Sequence, residues 1–421
     1  MRVDLLIHSA AQLVTCASPG GPKRGPAMHD LGIIADGAIA IDDGVIVALG
    51  PSGELRATYD ARRAIDAAGK IVCPGFVDPH THLVYVGDRV AEWEMKLRGV
   101  SYLDILAAGG GILRTMRATR EASLERLVAQ ARRRLDALMR CGVTTCEIKT
   151  GYGLSVVAEL KMLDAIAILA QTHPCDVLPT LLAAHAIPPE FTSDPDGYVD
   201  LIVEEIMPQA IACFRSWRIN HQSLMFVDVF CEKGAFDVDQ SRRVLMAGKR
   251  LGLLPKIHAD QFNALGGVPM ALELGAVSCD HLDVTTAEDH ARLAQSDAIA
   301  VLLPAVNFHL GSAHFADARA MIDAGCAVAL ATDHNPGSAP CLSPAMVMAI
   351  ACRYQKLTPA EALNACTINA AHALAVGDRV GSLEAGKQAD VLIADALDYR
   401  HLAYQFGVNL VEMVIKRGEV V

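Results

Sequence analysis

No apolar run in the sequence approaches the roughly 18 residues that a membrane-spanning helix requires, so no membrane partner is expected. The start, Met1-Arg2-Val3-Asp4-Leu5-Leu6, has neither a long apolar stretch nor a cleavage pattern, so no secretory leader is expected. None of the twelve cysteines forms a CxxC pair. Several sit in apolar or strand-like runs, as in Val143–Cys146 and Phe230-Cys231. Scattered cysteines of this kind read as buried thiols in a reducing compartment, which makes a cytoplasmic location the expectation. Positive charge is also short: 37 Lys and Arg stand against 48 Asp and Glu, a net charge of −11. Nothing there favours nucleic acid or an anionic membrane as a partner, and an anionic substrate needs a local basic group in its pocket.

Two missing glycine patterns narrow the fold and the chemistry. The run Gly109-Gly110-Gly111 has no Lys-Ser or Lys-Thr after it, so it reads as an active-site loop rather than a phosphate loop. No glycine fingerprint follows the first central strand, which argues against an open doubly wound sheet. Against these absences stands an apolar fraction of 52 % with 20 % charged residues over 421 positions. That composition supports a large buried core and excludes a disordered chain.

The first part of the chain has short β-branched runs split by turn residues. Asp4–Ile7, Gly32–Ile34, Ala38–Ile41 and Val45–Leu49 read as strands, with Asp42-Asp43-Gly44 as a hairpin turn. Ala389–Ala394 and Leu410–Lys416 repeat that texture near the other end. The middle alternates short apolar strands with amphipathic stretches such as Ser123–Arg140, Val156–Gln171 and Val238–Leu251. Its strand candidates are Ile71–Asp78, Val143–Lys149, Asp176–Ala183, Met225–Cys231, Leu254–Ile257, Val277–Asp280, Ile299–Pro304 and Cys326–Thr332. This pattern predicts an α/β protein: a (β/α)8 TIM-like barrel over residues 69–377. A small β-sandwich domain is expected from residues 1–68 together with 378–421.

A barrel of this class carries its chemistry where strands end and loops begin. The first central strand ends in Asp78-Pro79-His80-Thr81-His82, and residues i and i+2 of an extended segment point the same way. His185, His258, His281 and Asp333 stand at the ends of four other strands. Any one of these histidines alone reads as an ordinary core or surface residue. Their joint placement on one face is the signal. His173, His221 and His290 fall in helices or loops and receive no role. Imidazole and carboxylate together suit zinc or non-haem iron better than magnesium or calcium. Such an ion lowers the pKa of a water towards ~7, and a nearby histidine can take its proton.

The stretch Pro74-Gly75-Phe76-Val77-Asp78-Pro79-His80-Thr81-His82 resembles the metal-binding opening of the amidohydrolase superfamily. Within it, Gly109–Thr119, Glu147–Leu154, Leu182–Glu190, Val227–Phe236 and Ala331–Ser338 resemble the imidazolonepropionase family, and the likeness runs over nearly the whole chain. The resemblance implies a hydrolase of histidine degradation. It would open the cyclic amide of 4-imidazolone-5-propanoate to N-formimidoyl-L-glutamate, as a homodimer with one divalent or trivalent zinc or iron ion per chain. It implies His80, His82, His258 and Asp333 as metal ligands, with His281 and Asp333 handling the proton. Arg89 would grip the substrate's carboxylate, Tyr152, His185 and Gln261 would line the pocket, and Asn335, Gly337 and Ser338 would touch the product. Some relatives carry glutamate where this chain has Gln261; a glutamine cannot act as a base, so proton transfer rests on the other two. Lys149 and Lys233 raise the carbamylated lysine that bridges two ions in some members, although a single ion is favoured. The rival readings are another cyclic amidase or nitrogenous-ring deaminase of the superfamily, and a barrel that has kept the scaffold without catalysis. The second rival should have lost ligands, and all four candidates are present.

Overall fold

A computed structural model describes residues 1–18, 20–100, 110–217 and 224–421. Gly109 and His221 lie outside the described residues.

The strands fall into two sheets. In chain order, β1 (Arg2–Val14), β2 (Ile33–Asp42), β3 (Val45–Pro51), β4 (Asp60–Asp66) and β5 (Ile71–Pro74) open the chain. The barrel strands follow as β6 (Phe76–Asp78), β7 (Val143–Lys149), β8 (Asp176–Ala184), β9 (Phe226–Cys231), β10 (Leu254–Ala259), β11 (Ser278–His281), β12 (Ile299–Leu302) and β13 (Val328–Leu330). The last three are β14 (Val391–Ala394), β15 (Val411–Lys416) and β16 (Glu419–Val420).

The first and last groups join in one mixed sheet of order β16-β15-β14-β5-β1-β2-β3, with β4 alongside β1. Both ends of the chain contribute to its core, which includes Leu5, Ile7, Leu13, Ile39 and Ile41 with Val391, Ile393 and Ile415. The hairpin between β2 and β3 turns on Asp43 and Gly44, whose φ values of 48° and 72° suit a two-residue turn between right-twisted strands.

The strand expected over Ile71–Asp78 divides. Ile71–Pro74 belongs to the small sheet, pairing with β1 and β14, while Phe76–Asp78 begins the barrel. Gly75 marks the switch, because a Cβ there would stand 2.2 Å from Thr144 Oγ1. Likewise Gly32–Ile34 and Ala38–Ile41 are parts of one strand, β2.

The barrel strands pair in parallel from β6 to β13 in sequence order. Helices such as Leu124–Arg140, Val156–Thr172 and Val238–Arg250 lie between them. Two of these begin at caps visible in the sequence: Ser123 accepts from the Arg126 amide, and Asp237 forms a reciprocal capping box with Gln240. At the seam between β6 and β13 the closure comes from the segments just beyond the strands. The Asp333 amide donates to His80 O at 3.0 Å and the His82 amide to His334 O at 2.9 Å. Thr332 Oγ1 donates to Asp78 Oδ2 at 2.6 Å. The H-x-H segment and the segment holding Asp333 are therefore locked side by side by backbone bonds before any ion is considered.

The small sheet meets the barrel at the opposite end. Asp176, first residue of β8, receives Lys416 Nζ at 2.9 Å and the guanidinium of Arg417. Lys416 also donates to Asp390 at 2.7 Å. No helix among the described residues is long and apolar enough to cross a membrane.

Candidate active site

At the C-terminal ends of the barrel strands, His80, His82 and His258 each bring one ring nitrogen within 4.8 Å of the others. His80, His281 and an Asp333 oxygen form a second such group. Asp333 Oδ1 lies 3.5 Å from His80 Nε2 and 3.3 Å from His82 Nε2. The five side chains expected to act on the ion and its proton thus converge, and all are buried.

Backbone conformation contributes to this aim. His281 has φ 80° and Asp333 φ 49°, in the left-handed region that side-chain-bearing residues rarely enter. His281 ends β11 and Asp333 lies three residues beyond β13, and neighbouring segments hold both. The Asp333 amide is fixed by His80 O, and the Leu282 amide donates to Ala259 O at 3.1 Å. Strain of this kind survives where the surroundings over-determine it, which is characteristic of functional sites.

Several polar atoms here are buried without a protein partner: Nε2 of His80 and of His258, Nδ1 of His82 and of His281, and Oδ1 of Asp333. Orphans are rare in folded proteins because each costs desolvation energy. Several of them on side chains whose ligand atoms cluster mark a candidate site for a cation. Burial holds the His80 and His82 imidazoles well below their usual pKa, and brings His281 to about 3. All three are neutral, the form that ligates metals or accepts protons.

Beneath the histidines lies a layer the sequence reading did not assign. Lys149 Nζ donates to Asp228 Oδ2 at 2.7 Å and pairs with Glu147 Oε2 at 2.8 Å. Lys256 Nζ pairs with Glu147 Oε2 at 3.0 Å and donates to Pro79 O at 2.8 Å. All four side chains are fully buried. Two carboxylates of this layer reach up to the ligands: Asp280 Oδ2 is 2.6 Å from His80 Nδ1, and Asp228 Oδ2 is 3.0 Å from His258 Nδ1. Asp280 fixes one nitrogen of the His80 ring and so turns the other towards the centre, and Asp228 stands in ion-pair contact with the His258 ring. Burial alone would lower the Lys149 ammonium's pKa, but Asp228, Glu147 and Asp280 outweigh it and raise the value. Lys149 is therefore an ammonium held by carboxylates. Lys233 is exposed. Neither has the setting of a bridge between two ions. A signal for this layer was present in the sequence. Strands of a parallel barrel read as near-continuous apolar runs, and Glu147, Lys149, Asp228, Lys256 and Asp280 interrupt them.

Above the histidines is a small cavity of about 80 Å³. Arg89, Tyr152, His185, Gln261, Asn335 and Ser338 line it, with His82, His258, His281 and Asp333 as its floor and Ile112 and Phe230 as apolar wall. His185 stacks on His82 with centroids 5.0 Å apart, and His185 Nδ1 lies 3.1 Å from Gly151 O. Arg89 is half-buried, its Nε has no hydrogen-bond partner, and it makes no ion pair among the described residues. Gly337 is buried beside Arg89 rather than on the cavity wall. His80 is likewise set deeper, behind His82 and His258. His173 pairs with Asp136 at 3.1 Å and His290 sits in the helix Ala287–Ala294, both away from the centre.

Residues 248–421 match the amidohydrolase family, and residues 37–61 match the imidazolonepropionase-like composite domain of bacteria. A protein of Chloroflexus aggregans named imidazolonepropionase is 57 % identical over 423 residues, covering 99 % of this chain and 98 % of the relative. One of the same name from Herpetosiphon aurantiacus is 50 % identical, covering 100 % and 97 %. Among solved structures, an adenosine deaminase from Xanthomonas campestris with bound zinc shares the fold at a TM-score of 0.71 and 22 % identity, covering 100 % of this chain and 93 % of that one. The guanine deaminase of E. coli does so at 0.72 and 17 %, covering 99 % of each.

Proposed function

Since this chain belongs to the imidazolonepropionases of the amidohydrolase family, we propose that its cavity hydrolyses the cyclic amide of 4-imidazolone-5-propanoate to N-formimidoyl-L-glutamate, with His80, His82, His258 and Asp333 around one metal ion. The observation that carries the site assignment is the clustering of these histidines and Asp333, several of their polar atoms orphaned, beneath a guanidinium that makes no ion pair among the described residues.

The donor set fits a metal. Three imidazoles and one carboxylate are a borderline set that suits zinc or iron, and the second nitrogens of His80 and His258 already have carboxylate partners. When bound, the ion supplies Lewis acidity for the ring carbonyl and for water. We take it to be zinc or iron, one per chain, because the Glu147–Asp280 group is already occupied by two ammonium groups.

The chain's own residues do the rest. Arg89 holds the propionate carboxylate through charge-assisted hydrogen bonds, which fixes the ring over the histidines. Tyr152, His185 and Gln261 line the ring's place. His281 is neutral with a free Nδ1, so it accepts the proton that water gives up as its oxygen bonds to the ring carbonyl carbon. As the ring C–N bond breaks, the leaving nitrogen takes a proton, delivered from His281 with Asp333 beside it. The carbonyl carbon ends as a new carboxylate, within reach of Ser338 and the Asn335–Gly337 turn. Two domains, 1–68 with 378–421 and 69–377, with Ile71–Pro74 of the second pairing into the sheet of the first, and a homodimer in solution complete the proposal.

The test is loss of imidazolone ultraviolet absorbance. Metal-replete protein is expected to remove it and chelated protein not to, with activity returning on adding zinc or iron. Ammonia release from a purine or pyrimidine, with imidazolone propionate untouched, would replace this reading by a deaminase.

A further inference from the structure

The one guanidinium among the described residues that line the cavity faces a missing side chain. Arg89 precedes the helix Val90–Leu97, and its side chain reaches over Gly337. A Cβ built on Gly337 would stand 0.9 Å from Arg89 Nη2, 1.9 Å from Cζ and 2.4 Å from Nε. No shift of a few tenths of an ångström accommodates that. Gly337 is not among the glycines of positive φ, so its backbone conformation is open to any residue. What requires glycine here is room for the guanidinium.

The seat is also rigid. Asn335 Oδ1 accepts from the amides of Gly337 and Ser338, both at 2.8 Å, and Asn335 Nδ2 donates to Asp333 O at 2.8 Å. One carboxamide thus ties the seat of the guanidinium to the backbone of a candidate ligand. Resting on the reading of Arg89 as the carboxylate grip, we propose that Gly337 determines specificity for acidic substrates: its bare Cα face aims the Arg89 guanidinium at the cavity. Gly337 acts as a positioning residue, through Arg89.

The geometry makes Gly337→Ala an informative variant. The atoms it displaces are the far end of a flexible side chain, so the fold and the ion should stay while the guanidinium moves. The probe is 3-(imidazol-4-yl)propionate against its neutral primary amide, with binding measured by calorimetry on the metal-loaded protein. The wild-type chain is expected to prefer the acid by roughly 10- to 100-fold, the range of one charge-assisted contact. Gly337→Ala should bring that preference to within about threefold of unity, with metal content and melting temperature unchanged. Adding it to Arg89→Ala should change the preference no further. An unchanged preference in Gly337→Ala would overturn the proposal, and so would loss of fold or metal in that variant. A wild-type chain without preference for the acid would instead overturn the reading of Arg89 beneath it.

Discussion

The two sides of the histidine cluster are built on opposite principles. Below it, Lys149, Lys256, Glu147, Asp228 and Asp280 are fully buried and paired with one another. Above it, Arg89 makes no ion pair among the described residues, and His281 Nδ1 has no partner. The lower layer satisfies its charges internally and spends its remaining bonds on orienting His80 and His258. The upper layer leaves charge and hydrogen-bonding capacity open towards a cavity. Paired buried charge marks support, and unpaired charge marks the place of a ligand.

Variants can break this contrast in order of expected effect. His80→Ala should lose bound metal and activity together, down to background, as read by metal analysis and the absorbance assay. Lys149→Met should come next. It leaves Asp228 as uncompensated buried charge, costing about 3–5 kcal/mol, while Glu147 keeps Lys256. By loosening His258, it should also weaken metal affinity by roughly 10- to 100-fold. Thermal unfolding and a metal-buffer titration measure the two effects.

Arg89→Ala should show the opposite pattern. It removes a group with no ion pair in the described structure, so thermal unfolding should shift little while KM rises roughly 10- to 100-fold. A large loss of stability with unchanged KM would place Arg89 among the supports.

The Asp176–Lys416–Asp390 cluster at the other end of the barrel is a control, since no histidine among the described residues pairs with it. Burial alone would raise the Asp176 carboxyl, yet Lys416 and Arg417 outweigh it and hold the value below the ordinary range. A depressed folded pKa stabilises the native state above the unfolded value of about 3.9. That contribution fades as pH falls through the folded value. Asp176→Asn should cost about 1–3 kcal/mol at neutral pH, flatten the acid limb of the stability profile, and leave metal affinity unchanged.

The histidine cluster was legible in the sequence; the layer beneath it showed only as charges inside apolar runs, without their partners, for a physical reason. His80, His82, His258, His281 and Asp333 stand at strand ends, where an alternating βα pattern marks them out. Arg89, Gly337 and the Asn335 turn came through family resemblance, since a lone arginine or glycine in a loop carries no chemistry of its own. Lys149 and Asp228 sit inside strands, and their meaning depends on which strands become neighbours. The division of Ile71–Asp78 between two sheets was hidden for the same reason. One continuous apolar run serves both, and only the contact between Gly75 and Thr144 shows where the chain crosses over.

The most direct test of the central claim is anomalous scattering at the zinc and iron edges from crystals of the metal-loaded protein. A single peak per chain is expected, in bonding contact with His80 Nε2, His258 Nε2, one His82 nitrogen and an Asp333 oxygen. A peak instead among Glu147, Asp280 and the lysines, or a fully active crystal with no peak, would contradict it.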